Sequence, residues 1–355
     1  LLNCKCYSRG RLVSILISII FSSILLSQDY PELGSNESLD FMTWNVQNYP
    51  KSNQTNAYME DIINDINIDI IAFQEIESLS AFSSLMNQLG SDWVGYRSGG
   101  NSSYGELAYA INTNEIQILN IYTILNQEAY YFGYREPYVL RFNYENDTYI
   151  MINNHFKCCG DGDLDYSDSS DEEYRRMISS QLLQEYIEDN HSDDNVIILG
   201  DLNDVISDNN SDNVFLGFLE SDNFQFADYQ IAYGSSSQWS YPSWPSHIDH
   251  IIITDELFPD FEFSNVQTFK ADDYISGGWN AYDNYVSDHR PVFMKFNFSP
   301  AIIGDLNNDE NIDILDVVAV ISLILNGDYN SLGDINYDGV LNVMDVVILV
   351  NSILN

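Results

Sequence analysis

Basic residues are scarce. The 355-residue chain carries 13 Lys and Arg against 54 Asp and Glu, a formal net charge of −41. Such a surface repels polyanions at long range, which excludes a protein that coats nucleic acid through a basic face. It suits a solvated surface in high salt or calcium, and it still permits an enzyme that grips phosphate locally. Cysteine is scarce too. Cys4 and Cys6 lie near the start, Cys158 and Cys159 are adjacent, and no zinc-binding spacing is present. Neighbouring cysteines close only a strained ring, so a disulfide, two free thiols and a metal contact all stay open. Nor is there a long apolar run. Leu12 to Leu26 is shorter than the ~20 residues a membrane span needs. Lys5, Arg9 and Arg11 precede it and Ser27-Gln28-Asp29 follow, the pattern of a secretory signal peptide over 1–28, with an uncleaved anchor as the alternative. Its removal would leave 13 − 3 = 10 basic against 54 acidic residues, or −44, and no stable membrane span.

What is present is enough apolar material for a core, 45% of the chain. After a linker over 29–38, residues 39–300 alternate strand and helix patterns. Strand signals fall at Asp40–Val46, Ile68–Phe73, Leu107–Ile111, Ile116–Tyr122, Tyr138–Tyr144, Tyr149–Asn153, Val196–Leu199, His250–Thr254 and Val292–Phe298. Helical spacing falls at Ala57–Ile66, Ser80–Leu89 and Tyr174–Ile187. The expected architecture is α/β, a four-layer sandwich of two packed mixed β-sheets flanked by helices. Two segments read as loops, the Gly-, Asp- and Ser-rich 158–173 and the Ser-, Trp- and Pro-rich 233–246.

The chemistry sits in polar residues at strand ends. They are Asn45 in MTWNVQN, Glu75 in IIAFQEI, His155 in MINNHFK, Asp201 and Asn203 in VIILGDLND, Asp249 in HIDHIII, and Asp288 with His289 in SDHRPV. Carboxylates and amides are hard oxygen ligands for Mg²⁺ or Mn²⁺. Two histidines add groups that titrate near neutrality. Singly, each fragment is an ordinary turn or cap. Six of them in order suit metal-assisted cleavage of a phosphate ester.

The fragments TWNVQN, QEI, NNHFK, GDLND, IDHI and SDHRPV resemble the successive motifs of the endonuclease/exonuclease/phosphatase superfamily. SYGELAY, with Tyr104 and Glu106, and Arg135-Glu136-Pro137 resemble its secreted deoxyribonuclease I branch. The resemblance implies that Glu75 and Asn45 bind the catalytic metal and that Asp201 and Asn203 position the attacking water and the phosphate. It implies His289, oriented by Asp249, as general base, and His155, steadied by Glu106, as donor to the leaving oxygen. Asp288 would hold a second metal or fix His289, and Tyr104 and Arg135 would hold phosphate oxygens. Which histidine is acid and which is base stays open. His250 stands beside Asp249 and on an alternating strand points the other way, so a substrate contact and a structural role both stay open.

After residue 300 the character changes. GDLNNDENIDILD recurs as GDINYDGVLNVMD, with an offset of 334 − 305 = 29 residues. Asp305, Asn307, Asp309, Asp313 and Asp316 fall at positions 1, 3, 5, 9 and 12 of a calcium loop, and Asp334, Asn336, Asp338, Asn342 and Asp345 repeat the set. Gly339 supplies the turn at position 6, where the first copy has Glu310. One apolar helix follows each loop, Val317–Leu325 and Val346–Leu354. Paired loop–helix units of this kind resemble type I dockerins, so residues 301–355 are expected to form a small all-α, Ca²⁺-binding dockerin-like module. That resemblance implies a cohesin-like partner for 302–355. The usual Ser-Thr pair at positions 10 and 11 is replaced by Ile314-Leu315 and Val343-Met344. A calcium-folded cap without a partner is the alternative.

Together these readings describe a secreted, metal-dependent phosphodiesterase, first of all an endonuclease on DNA, with RNA as a second substrate left open. The alternatives are a sphingomyelinase-like or other phosphate-ester hydrolase, and a non-catalytic scaffold or adhesion component. Trp239, Tyr241 and Trp244 would serve base stacking or a membrane surface equally well.

Overall fold

Strands whose two faces are both covered read as nearly unbroken apolar runs, and the central strands of this chain do so because helices cover each sheet. The computed structural model describes residues 29–99, 106–145, 147–298, 302–307, 309 and 311–354. The expected signal segment 1–28 lies outside the described residues, as do Tyr104 and Glu310. In chain order the strands are β1 (Leu39–Tyr49), β2 (Ile70–Ile76), β3 (Trp93–Arg97), β4 (Glu106–Asn112), β5 (Gln117–Thr123), β6 (Tyr138–Tyr144), β7 (Asp147–His155), β8 (Asn195–Asp201), β9 (Phe224–Phe226), β10 (Asp249–Thr254), β11 (Asn265–Thr268) and β12 (Val292–Phe296). The helices are α1 (Thr55–Ile66), α2 (Leu79–Leu89), α3 (Glu172–Asn190), α4 (Leu216–Glu220), the single turns α5 (Tyr229–Ala232) and α6 (Phe258–Phe261), α7 (Gly278–Tyr285), α8 (Ile314–Asn326) and α9 (Val343–Leu354).

Two six-stranded sheets result, ordered β11-β12-β1-β2-β4-β3 and β5-β6-β7-β8-β10-β9. Each is mixed, because β1 runs parallel to β2 and β7 parallel to β8 while their other neighbours are antiparallel. Alternation splits each strand between two cores. Phe41, Ala72, Tyr109, Met151, Leu199 and Ile251 pack between the sheets. Met42, Trp44, Phe73 and Ala108 face the other way, onto Met59 and Ile62 of α1 and Phe82 of α2. On the second sheet Ile150, Ile152 and Ile198 meet Leu183 and Ile187 of α3 and Phe218 of α4. The four layers of the sequence expectation are therefore present as helix, sheet, sheet, helix.

Local signals start the helices. Ser78 Oγ accepts from the Ala81 amide at 3.2 Å before α2, and Asp171 Oδ1 accepts from the Tyr174 amide at 2.7 Å before α3. The stretch read as a linker is packed instead. Tyr30 is buried against Phe269 and Tyr274, and the Leu33 amide donates to the Ile66 carbonyl at 3.0 Å. Three short strands, β3, β9 and β11, and helices α4 to α7 escaped the sequence reading because each is too brief or too polar to show a period.

Candidate active site

Bulges turn the strand ends of the first sheet toward the second. The β1–β2 register shifts between Asn45 and Tyr49, and the β2–β4 register shifts between Phe73 and Ile76. Gln47, Asn48 and Glu75 take positive φ values of 35°, 51° and 65°. Non-glycine residues seldom hold that conformation, and bulges of this kind re-aim side chains. On the second sheet His155, Asp201 and Asp249 occupy one register row across β7, β8 and β10. Gly200 permits the close approach of β8 to β7, because a Cβ there would lie 2.0 Å from the Asn154 carbonyl oxygen.

The two edges meet in a cleft of about 370 Å³, walled by Gln47, Glu75, His155, Asp201, Tyr241 and His289 among others. Asp201 Oδ2 is its centre. It accepts from Asn45 Nδ2 at 2.8 Å and lies 3.5 Å from His155 Nε2 and 3.9 Å from His289 Nε2. His289 Nδ1 is 2.8 Å from Asp249 Oδ2. Asn45 Nδ2 also reaches Glu75 Oε1 at 3.1 Å, and the Asn48 amide donates to Glu75 Oε2 at 2.7 Å. Gln47 Nε2 donates to Asp288 Oδ2 at 2.6 Å. Asn203, at φ 55°, donates its amide to Asp201 Oδ1 at 3.1 Å and its side chain to the Phe156 carbonyl at 3.2 Å. Tyr241 lies against the His289 ring, with centroids 4.7 Å apart.

The two histidines are driven in opposite directions. Burial, Arg135 and His289 hold His155 well below its ordinary value, so it is neutral at pH 7. Burial alone would also lower His289, but the charges of Asp249, Asp201 and Asp288 outweigh it and lift His289 to about 10. Burial, then the charge of Asp249, pushes Asp201 up to about 7. A pair of groups with separated pKa values is the usual basis of an acid and a base. A cation among these carboxylates would lower His289, because it takes over part of the proton's electrostatic role.

The donor set fits a hard divalent cation. Glu75, Asp288 and Asp201 bring carboxylates, and among the described residues Asp288 Oδ1 and Gln47 Oε1 are buried without a hydrogen-bond partner. The Asp201, Asp249 and His289 ligand atoms also lie within 4.8 Å of one another. Asn45 sits among the acids, its Nδ2 donating to Glu75 and Asp201 while its Oδ1 accepts from the Gln47 amide at 2.9 Å.

One expectation is corrected. Among the described residues Glu106 does not steady His155, since its Oε2 accepts from Ser98 Oγ at 3.1 Å and His155 Nδ1 finds no hydrogen-bond partner there. The cause is alternation. Glu106 shares a strand face with Ala108 and Ala110, which pack on the helix side, whereas His155 has the parity of Tyr149 and Met151, which face between the sheets. Arg135 braces the strand end beside the cleft, its Nε donating to the His155 carbonyl at 3.1 Å and its Nη2 to the Phe156 carbonyl at 2.8 Å. Burial lowers its pKa.

Sequence reasoning passed over several contributors. Gln47 sits inside a quoted motif and shows its role only through the bulge. His250 lies behind the site, with Nδ1 2.6 Å from Asp228 Oδ2 and Nε2 3.0 Å from the Asp204 carbonyl. Both nitrogens face acceptors, so both carry protons. His247 Nε2 meets the same Asp228 oxygen at 2.9 Å. Arg176 continues the brace, with Nε on Asp204 Oδ2 at 2.8 Å. Nothing in the sequence links Asp228 or Arg176 to the catalytic motifs.

The C-terminal repeats fold alike. Asp316 Oδ1 accepts from the Leu306 amide at 2.8 Å and Oδ2 from the Asp313 amide at 2.8 Å. Asp345 repeats this with the Ile335 amide at 3.1 Å and the Asn342 amide at 2.9 Å. Asp305 and Asp334 Oδ1 accept from the Asp309 and Asp338 amides at 3.2 and 3.1 Å. Asn307 Nδ2 donates to Asp309 Oδ2 at 2.7 Å, and Asn336 Oδ1 accepts from the Asp338 amide at 2.8 Å. Asp313 and Asn342 accept from the Leu315 and Met344 amides at 2.7 and 2.8 Å. The helices α8 and α9 share a small core of Val317, Val320 and Leu349.

A two-sheet sandwich with acids, amides and two histidines at one edge defines the class of metal-assisted phosphoester hydrolases. The model of the Endonuclease/Exonuclease/phosphatase family matches residues 42–289, and the chain belongs to that family. Among solved structures, D. rerio TDP2 complexed with single strand DNA product aligns with a TM-score of 0.56 at 11% identity, over 74% of this chain and 100% of that one. The human Nocturnin catalytic domain with bound sulfate anion gives 0.53 at 15% identity, over 77% and 97%. The endonuclease/exonuclease/phosphatase from Bacteroides vulgatus gives 0.52 at 14% identity, over 74% and 99%. At these identities the likeness is one of fold. No curated protein matches the chain.

Proposed function

We propose that the chain is a secreted, Mg²⁺- or Mn²⁺-dependent phosphodiesterase that cleaves nucleic acid, DNA first. The observation that carries this reading is the convergence of His155 and His289 on one carboxylate, Asp201, opposite Glu75. A phosphodiester needs charge neutralisation, an oriented water and a proton for the leaving oxygen. Glu75 and Asp288 would hold the cation, which supplies Lewis acidity and charge at the phosphate. Asp201 and Asn203 would orient water and phosphate. Asp249 fixes the His289 ring, and Arg135 fixes the strand end that carries His155. The reading is supported by a fold relative whose structure holds a single strand DNA product.

Residues 301–355 would form the calcium-binding, dockerin-like module. Ile314, Leu315, Val343 and Met344 at its loop–helix junctions are exposed, so a cohesin-like partner would meet an apolar patch there. Secretion rests on the pattern of residues 1–28.

The test is nicking of supercoiled plasmid with Mg²⁺ and Ca²⁺, beside His155→Ala and a parallel sphingomyelin assay. Nicking lost with chelator and in the variant is the expected result. Intact plasmid with release of the lipid head group would move the enzyme to the lipid alternative, and silence in both assays would overturn the hydrolase reading.

A further inference from the structure

Two thiols stand in the wall of the cleft that the catalytic residues share. Cys158 and Cys159 line it together with Glu75, His155 and Asp201. Their sulfurs are 2.9 Å apart, Cys158 is half-buried and Cys159 is exposed. The backbone beneath them is clamped. Arg176 Nη1 donates to the carbonyls of Lys157 and Cys159, each at 2.8 Å, and Lys157 Nζ donates to the Cys158 carbonyl at 2.7 Å. Cys159 is held at φ 75°. The thiols are thus presented side by side, and closing the bond, at ~2.05 Å, requires a shift of under about 1 Å.

We propose that Cys158 and Cys159 are a reversible oxidation site, a dithiol that closes to a vicinal disulfide and slows turnover in the cleft beside it. The inference rests on the hydrolase reading of that cleft. Consecutive Cα atoms lie about 3.8 Å apart, whereas relaxed disulfides span about 4.4–6.8 Å. The ring is therefore strained, and strained disulfides are the readily reduced, regulatory kind. The oxidant is a low-molecular-weight disulfide. The Cys159 thiolate attacks one of its sulfurs and expels a thiolate. The Cys158 thiolate then attacks Cys159 sulfur in the mixed disulfide and expels the second thiolate. Two electrons pass to the oxidant, and the two cysteine protons end on the two expelled thiols.

Ring closure twists the 158–159 peptide and pulls its flanking carbonyls from Arg176. Arg176 also holds Asp204, whose carbonyl meets His250, so the disturbance reaches the turn that carries Asp201 and Asn203. A misplacement of about 1 Å costs up to about 100-fold in rate, so a loss of about tenfold or more is expected.

The full chain is treated with glutathione disulfide or with dithiothreitol. Three readouts follow: peptide mass across both cysteines, Mg²⁺-dependent hydrolysis of bis(p-nitrophenyl) phosphate, and hydrogen exchange over 200–205. The expected result is loss of two hydrogens from that peptide, a slower rate, altered exchange, and recovery of all three with dithiothreitol. In Cys159→Ser the response to oxidant disappears. Thiols that stay free by mass overturn the proposal, as does a ring that leaves both rate and exchange unchanged. A reduced protein inactive on every phosphodiester sinks the hydrolase reading instead, while mass and exchange still decide whether the ring forms and reshapes the cleft.

Discussion

Replacing Asp249 by Asn tests the centre of the proposed mechanism. Asp249 is fully buried, and its Oδ2 is 2.8 Å from His289 Nδ1. The substitution keeps the shape and an acceptor but removes the charge. A hydrogen bond to a charged group contributes about 1.5–3 kcal/mol, and about 1.4 kcal/mol is tenfold in rate. The ratio gives a fall in kcat of roughly 10- to 150-fold. A larger fall follows if the amide presents its NH₂ and imposes the wrong tautomer, which costs roughly 10⁴-fold in the comparable Ser-His-Asp arrangement. The variant also predicts a direction in pH. Asp249 is the foremost charge raising His289 toward about 10, so its loss lowers the His289 pKa. Whichever limb of the pH–rate profile His289 controls moves to lower pH. An alkaline limb that moves marks His289 as the acid, and an acidic limb marks it as the base. The assay is hydrolysis of bis(p-nitrophenyl) phosphate at saturating Mg²⁺ from pH 5 to 10, with circular dichroism to confirm the fold. A kcat within threefold of wild type and an unmoved profile would refute the reasoning.

Glu75→Gln is expected to raise the Mg²⁺ concentration for half-maximal activity by at least about tenfold, since one of few hard anionic ligands is lost; an unchanged metal titration would remove Glu75 from the site. Stability is expected to fall as pH rises from about 4 to 7. Burial first of all lifts Asp40 to about 6 and Asp69 to about 7, so the folded chain keeps protons that the unfolded chain has released. Asp69→Asn leaves an acceptor for the Asp40 amide, which Asp69 Oδ2 now meets at 2.8 Å, and removes the Asp69 share of that pH dependence. It should stabilise the protein at pH 8 by up to about 4 kcal/mol, read as Tm against pH; a parallel pH slope in the variant would contradict this. Calcium is expected to raise the melting temperature of the C-terminal helices and Asp345→Ala to abolish that gain, with a calcium-insensitive melt counting against a calcium site.

Much of this fold could be read from the sequence because the central strands are buried on both faces. Apolar runs such as Ile70–Phe73 and Val196–Leu199 survive any choice of sheet. The site was legible as a set because its residues are the polar ends of those runs. Register then explains why they meet: His155, Asp201 and Asp249 share one row, which strand alternation and pairing dictate. The failures have the same origin. Glu106 was assigned to His155 by motif alone, and parity sends it to the helix side. Arg135 was read only as a phosphate contact, and the two backbone carbonyls it braces were missed. Asp228 and Arg176 could not be found, because a brace behind a site depends on which loops pack together, and sequence spacing carries no trace of that.

The shortage of basic residues gains a meaning from where they lie. Arg175 and Arg176 are almost fully buried, and Arg135 is turned to the backbone. Arg290 is held by Asp272 at 2.8 and 2.6 Å. Arg135 and Arg176 brace the end of β7 and the turn after β8, which present His155, Asp201 and Asn203. The outer surface keeps its acidic excess. For the polyanionic substrate proposed above, long-range attraction would be slight, and a cation at these carboxylates would supply what the surface lacks. On that proposal binding and catalysis would depend on the same ion, and the buried arginines would contribute by fixing the geometry of the acids around it.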